Sequence, residues 1–254
     1  MQTSDRTQTK APIRCWNDLA YSADASDEQH AHLFVPEGEG PFPFVMCMHG
    51  GGWTSGTHHG YSRVAMPLAQ AGFAAATVGY RKVDHQPWPT PLEDISAAFD
   101  FFQEHAAEFH IDSSRFAAMG DSAGGHLALM LSTKRPLQAV VSVSGPTDVR
   151  PPVVTSMTKP YLDIGTHPQY SIEEITPTAS PVVCIEKDSC PILQILGGKD
   201  SIVPPGQPFS LQQCLDKLGV ANELRMFPGE EHSLIFDQEE DVRKTMISFL
   251  KRRL

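Results

Sequence analysis

The sequence predicts an α/β fold, a mostly parallel central sheet of about eight strands with helices on both faces. Three observations predict it. Short, continuously apolar runs such as 44–48 and 138–143 alternate with stretches whose apolar residues recur at three- and four-residue steps. Glycine-rich segments follow two of the apolar runs directly, at 49–52 and 120–125. Side chains suited to nucleophilic chemistry stand just past three predicted strands, where open α/β sheets collect their working residues.

Taken in order, residues 1–10 are polar and expected to be disordered. Runs at 13–21 and 30–35 flank a turn-rich hexad and read as an antiparallel pair at a sheet edge. The run at 44–48 reads as a buried strand, followed by a Gly/His loop over 49–60, a helix at about 61–71 and a strand at 73–78. Segment 80–91 contains Pro87, Pro89 and Pro91 and reads as a loop, with a helix predicted from Glu93 to about Phe109. On that helix Ile95, Ala98, Phe99, Phe102 and Ala106 make one apolar face. A turn at 110–115 leads to a strand at 116–119, a helix at 123–133 and a strand at 138–143. Between 145 and 190 Pro, Thr and Ser break the pattern for too long to be an ordinary link, so this reads as an insertion over the face where the nucleophile stands. A strand at 191–196, a helix at 209–218, a strand at 223–227 and a helix at 234–250 complete the chain. Residues 1–254 are therefore expected to form a single domain.

Composition narrows the function classes. A 41 % hydrophobic share with 20 % charged residues is ordinary for a soluble globular chain. The net charge of −10, spread without a basic stripe, argues against a nucleic-acid partner. Cys15, Cys47, Cys184, Cys190 and Cys214 make neither a disulfide framework nor a zinc knuckle, although Cys184 and Cys190 flank a short turn across which they could meet. No stretch of 18 apolar residues occurs, and the first residues lack an apolar core, so no membrane span is expected and the expected location is cytoplasmic.

Gly120-Asp121-Ser122-Ala123-Gly124-Gly125 lies between a predicted strand and a predicted helix in the form G-x-S-x-G. The glycines answer a crowding problem, since a nucleophile on a strained strand-to-helix turn leaves no space for side chains two residues away. That turn would expose the Ser122 hydroxyl and aim the Ala123 amide at a developing negative charge. Asp200 and His232 each follow a later strand, completing the order Ser, Asp, His. The hydroxyl needs a neutral imidazole to take its proton, and the imidazole needs a carboxylate to fix its tautomer. His49-Gly50-Gly51-Gly52-Trp53 follows another strand, and glycines there let consecutive amides turn inward, so Gly51 and Gly52 join Ala123 as candidate oxyanion donors. His49 is read as holding that loop by side-chain hydrogen bonds. Asp121 is read either as bonding loop amides or as capping the helix, and Asp94 as a structural carboxylate at a helix start. His126, one turn into the helix after Ser122, is placed beneath the site. His58-His59 lacks an H-x-x-x-H or HExxH partner pattern and is read, with His85, His105, His110 and His167, as a surface or helix-cap histidine pair, so no metal is assigned.

On these residues the sequence resembles the α/β-hydrolase superfamily of serine esterases and lipases. The branch is the one joining H-G-G-G to G-D-S-A-G-G, with its hormone-sensitive-lipase-like members and its smaller acetyl-xylan/feruloyl-esterase-like and kynurenine-formamidase-like enzymes. The resemblance runs over about 44–250 and includes Tyr80-Arg81 with Asp94, Ala179-Ser180-Pro181, Asp200 with Val203-Pro204, and Pro228-Gly229 with His232. It implies an α/β-hydrolase fold and a carboxylic-ester hydrolase acting on short acyl or acetyl esters through an acyl-enzyme. Ser122 is the implied nucleophile, His232 the base and Asp200 the orienting acid. The implied substrate is a small-molecule ester, acetylated or feruloylated carbohydrates among the candidates, with no cofactor and with monomer and homodimer both open. Aryl formamide or amide/peptide hydrolysis on the same triad is the enzymatic alternative, and a non-catalytic binding protein on a hydrolase scaffold is the other. Only about 48 residues precede His49, which leaves residues near 1–30 and 145–190 to build a reduced cap over an open pocket. Leu196 stands where relatives often carry His, and Glu230-Glu231 is more acidic than the small residues common there. Bulky apolar candidates to line an acyl slot are few: Trp53, Trp88, Met157, Tyr161 and Leu162.

Overall fold

The computed structural model describes residues 12–151, 153, 168–237 and 239–254. Its eight strands are β1 (Ile13–Ala20), β2 (His30–Pro36), β3 (Phe42–Met48), β4 (Ala74–Val78), β5 (Ile111–Asp121), β6 (Ala139–Val143), β7 (Ile192–Gly197) and β8 (Asn222–Phe227). They form one sheet in the order β1-β2-β4-β3-β5-β6-β7-β8. β2 runs antiparallel to both neighbours, and all other pairings are parallel. The main helices are α1 (Ser62–Gln70), α2 (Thr90–Glu104), α3 (Ala123–Leu131), α4 (Gly206–Leu218) and α5 (Glu239–Arg253).

Continuous apolar strands are needed because this sheet is covered on both faces. Along β3, Phe44, Met46 and Met48 point into one core with Leu92, Ile95, Phe99 and Phe102 of α2 and with Leu211 and Leu215 of α4. Val45 and Cys47 point into the other, with Val64, Ala65 and Leu68 of α1 and Val242, Met246 and Phe249 of α5. The predicted face of α2 is buried in full, Ala106 included, although that residue lies beyond the helix end.

Several boundaries differ from the sequence expectation. α2 begins at Thr90 rather than Glu93, because Pro91 falls in the first helical turn, where its missing N–H is not needed. It stops at Glu104 rather than near Phe109, and the chain then reverses through His110 in the left-handed region, φ 57°. β5 starts at Ile111, not 116, since Ile111 pairs with Phe42 across a register shift in the β3–β5 ladder. α4 opens at Gly206, and the last helical stretch divides into a single turn, Leu234–Asp237, and α5. All five cysteines are free thiols, so Cys184 and Cys190 are not bonded to each other.

The tightest packing joins the β5–α3 turn to the end of β3. A Cβ added to Gly124 would lie 2.5 Å from the Met48 carbonyl carbon, and one on Gly120 would lie 2.5 Å from the Gly124 carbonyl oxygen. Both obstacles are backbone and cannot swing aside. Gly124→Ala should therefore lower stability by about 1–3 kcal/mol, the usual range for overpacking. Gly206→Ala, where a Cβ meets nothing within 4 Å, should be neutral or stabilise by a few tenths of a kcal/mol. Urea unfolding of the two variants beside wild type checks the contrast.

Candidate active site

The sheet brings three of the predicted residues into one hydrogen-bonded line. His232 Nε2 lies 2.9 Å from Ser122 Oγ, and His232 Nδ1 lies 2.8 Å from Asp200 Oδ2. A carboxylate accepts only, so the imidazole proton sits on Nδ1 and leaves the Nε2 lone pair to accept the serine hydroxyl. Asp200 is 3 % exposed, and its other oxygen accepts the amides of Ile202, at 3.0 Å, and Val203, at 2.8 Å. Those two bonds set the carboxylate's rotation before His232 arrives.

The loops after β7 and β8 are stitched together along their backbones. Gly198 N–H donates to Phe227 O at 2.8 Å, and Lys199 N–H donates to Glu230 O at 2.9 Å. Gly197 and Gly198 permit this, because a Cβ on Gly198 would sit 2.8 Å from the Pro228 backbone. Asp200 and His232 are thereby held in register although 32 residues separate them.

Ser122 caps α3 with φ 50° and ψ −121°, a backbone region that L residues rarely adopt. Its N–H donates to Val143 O at 2.8 Å, which anchors the turn to β6. In the glycine loop Gly51, Gly52 and Trp53 all have positive φ, at 120°, 59° and 60°. A Cβ on Gly51 would meet the Ser55 backbone, so the loop requires glycine there on both counts. Among the described residues no acceptor takes the amides of Gly51, Gly52 or Ala123.

Polar neighbours fix this loop. His49 Nδ1–H donates to Gly50 O at 2.7 Å, and the His49 ring stacks on Tyr80, whose hydroxyl donates to His49 O at 2.8 Å. Burial pushes the His49 imidazole down to about 3, so it is neutral, as a loop-holding residue should be. Asp121 accepts the Gly50 amide at 3.0 Å, which decides its role in favour of the loop and against the helix cap. Burial raises the Asp121 carboxyl, with the Tyr61 hydroxyl and the Gly50 amide opposing. Asp94 is structural by a different route from the one expected: it pairs with Arg81 at 2.6 Å and accepts Gln29 Nε2 at 3.0 Å.

His126 lies beneath the site, fully buried, and donates Nε2–H to Ala179 O at 2.7 Å. Trp53 and Trp88 pack against its ring at centroid distances of 5.1 and 5.4 Å. Both indoles are enclosed, at 0 % and 1 % exposure, and Trp88 Nε1–H donates to Thr178 Oγ1. Both rings pack in the core under the turn, and Trp88 also lines a groove beside α2. Met157, Tyr161, Leu162 and His167 lie outside the described residues. A groove of about 780 Å³ runs between α2 and residues 170–178, but no residue of the Ser122 relay or of the glycine loop lines it.

Sequence reasoning missed one cluster. His58 is buried rather than a surface residue, and it meets His59, His32 and Asp18. The partners come from strands far back in the chain, so no local spacing signals them.

The family model described as BD-FAE matches residues 32–215. "Ethyl acetate hydrolase" of Pseudomonas putida is 26% identical over 243 residues, covering 87% of this chain and 76% of its own. "Probable carboxylic ester hydrolase LipM" of Mycobacterium tuberculosis is 28% identical over 222 residues, covering 77% of this chain but 52% of its own, so this chain spans about half of that relative. Among solved structures, a truncated form of a carbohydrate esterase from gut microbiota superposes with a TM-score of 0.81 at 21% identity, covering 97% of this chain and 98% of that one. That likeness shows the fold, an α/β-hydrolase sheet. Among the described residues no helix is long and apolar enough to cross a membrane.

The buried imidazoles give the fold an acid-sensitive window. Burial lowers His126 to about 4 and His49 to about 3, against about 6.5 in an unfolded chain. Between those values the unfolded chain binds protons that the folded chain refuses, so stability falls as pH falls from about 6.5 toward 4. The urea midpoint should decline through that range. In His126→Gln, whose amide can still donate to Ala179 O, the slope should be shallower by up to about 1.4 kcal/mol per pH unit.

Proposed function

As a member of the BD-FAE family this chain is a carboxylic ester hydrolase, and we propose that it cleaves short-chain acyl or acetyl esters through Ser122, His232 and Asp200. The observation that carries the reading is the unbroken line Ser122–His232–Asp200 at three strand ends, beside three amides that have no acceptor among the described residues.

In the proposed reaction Ser122 Oγ attacks the ester carbonyl carbon while His232 Nε2 takes the hydroxyl proton. The carbonyl oxygen becomes an oxyanion and is met by the amides of Gly51, Gly52 and Ala123, each of which contributes roughly 3 kcal/mol of transition-state stabilisation. Asp200 holds the ring in its tautomer and offsets the imidazolium charge. The tetrahedral species collapses, the C–O bond to the alcohol breaks, and His232 returns its proton to the departing oxygen. Water then attacks the acyl-enzyme by the same route, giving the acid and restoring Ser122.

The acyl group should be short. Each buried CH₂ gains roughly 0.8 kcal/mol, but only against apolar protein surface, and the indoles of Trp53 and Trp88 are enclosed in the core. The reduced cap expected from the sequence would admit a bulky alcohol, which keeps acetylated and feruloylated carbohydrates within the substrate class.

Ser122→Ala should fold normally and lose at least about three orders of magnitude in turnover of a p-nitrophenyl ester. A variant retaining a tenth of wild-type turnover would remove Ser122 from the mechanism. Asp200→Asn should keep KM nearly unchanged and lower kcat by about 10⁴, through the wrong imidazole tautomer. Kinetics on esters from acetate to laurate, below micelle-forming concentrations, should peak at or before about six acyl carbons, the limit set by the apolar surface on offer. A maximum at octanoate or longer would require a deep acyl tunnel. Acetylated sugars, feruloyl esters, alkyl esters and N-formylkynurenine, run against Ser122→Ala as blank, sort the leaving groups.

A further inference from the structure

Away from the Ser122 relay, Asp18, His32, His58 and His59 each place one donor atom within 4.8 Å of the others. Asp18 occupies the irregular point of β1, where the pairing register with β2 shifts between Trp16 and Leu19 and its own φ is 52°. His32 lies on β2, and His58 and His59 open the turn that follows the glycine loop. Asp18 Oδ1 is 3.2 Å from His58 Nε2, 3.7 Å from His59 Nε2 and 4.0 Å from His32 Nδ1. His32 Nε2 and His59 Nδ1 stand 2.7 Å apart, and the ring centroids of His58 and His59 are separated by 4.0 Å.

We propose that Asp18, His32, His58 and His59 bind one divalent transition-metal ion of the zinc type, which ties the β1–β2 edge to the turn after the glycine loop. Three imidazoles and one carboxylate are the donor set of such an ion, whereas calcium and magnesium call for oxygen ligands. With bonds of about 2.0–2.1 Å, the donors of a tetrahedral site stand roughly 3.4 Å apart. The 3.2 Å between His58 Nε2 and Asp18 Oδ1 and the 2.7 Å between His32 Nε2 and His59 Nδ1 come near that value. One donor atom from each residue lies within 4.8 Å of the others, so gathering them asks for side-chain adjustment rather than a change of fold.

The proton balance is local. Without metal the Asp18 amide donates to His32 Nδ1 at 3.0 Å, which leaves the His32 proton on Nε2 and directs it at His59 Nδ1. His59 therefore already offers a bare Nδ1. On binding, His32 and His58 move their ring protons from Nε2 to Nδ1, and each neutral ring keeps one proton. For His58 the Nδ1 side adjoins Gly79, and a ring nitrogen turned to the protein side is the one that orienting partners of metal-bound imidazoles address. For His32 the bond to the Asp18 amide is given up at the bulge, where the ladder is already interrupted. Two of the ligands, His32 and His58, are buried, while Asp18 and His59 stand at the rim and give the ion a way in.

The inference does not rest on the ester-hydrolase reading, and its test needs no substrate. The full chain, stripped with a chelator, is titrated with zinc chloride in a calorimeter, beside Asp18→Asn, His59→Ala and His232→Ala. Wild type and His232→Ala should each bind one equivalent with Kd tighter than about 10 μM. Asp18→Asn and His59→Ala should each weaken that binding at least about tenfold, and the zinc-dependent rise in melting temperature should vanish with it. Asp18→Asn preserves shape and answers the question if His59→Ala fails to fold. Wild-type Kd weaker than about 10 μM, affinity unchanged in Asp18→Asn, or loss only in His232→Ala would each overturn the site.

Discussion

Between the Met48 carbonyl and the Cα of Gly124 there is no room for even one further carbon atom. That contact sets the distance between the end of β3 and the start of α3, and two neighbouring segments inherit their positions from it. One is the turn carrying Ser122, and the other is the glycine loop that begins at His49. The proposed nucleophile and two of its proposed oxyanion amides therefore share one reference point. Polar side chains could not set it as firmly, because backbone against backbone has no rotamers to adjust.

Around that point the loops are held by neutral or enclosed polar groups rather than by exposed charge pairs. His49 is tied to Gly50 and Tyr80, and Asp121 takes the Gly50 amide. Glycines give the loop its unusual dihedral angles, but the surrounding bonds allow it few of the conformations that glycine permits. A donor group prepared in this way needs little rearrangement when charge develops, which is the physical basis of electrostatic preorganisation. The relay on the other side is prepared likewise, with Asp200 oriented by two amides before it meets His232.

Much of this was legible in the sequence. The alternation of apolar runs with helical periodicity gave the sheet and its covering, because a strand covered on both faces has to be apolar throughout. Ser122, Asp200 and His232 were legible because each stands at a strand end, a place that local patterning marks. What failed to show was set by distant contacts. The early start of β5 depends on Ile111 finding Phe42, and Asp94 finds Arg81 across a loop rather than capping its own helix. Trp53 and Trp88 both pack against the buried His126 ring, and composition carries no sign of that contact. The Asp18–His32–His58–His59 group is the extreme case, since a bulge in β1 sets one member.

The backbone of Ser122 carries a cost of its own. A residue held at φ 50° and ψ −121° forgoes of the order of 1–3 kcal/mol, and glycine alone would escape the penalty. Directed evolution for heat resistance, run without an activity gate, would accordingly be drawn to this codon and would reward the loss of its hydroxyl. Robustness and the proposed role of Ser122 in turnover pull in opposite directions at that residue, so a screen on this scaffold has to read product as well as survival.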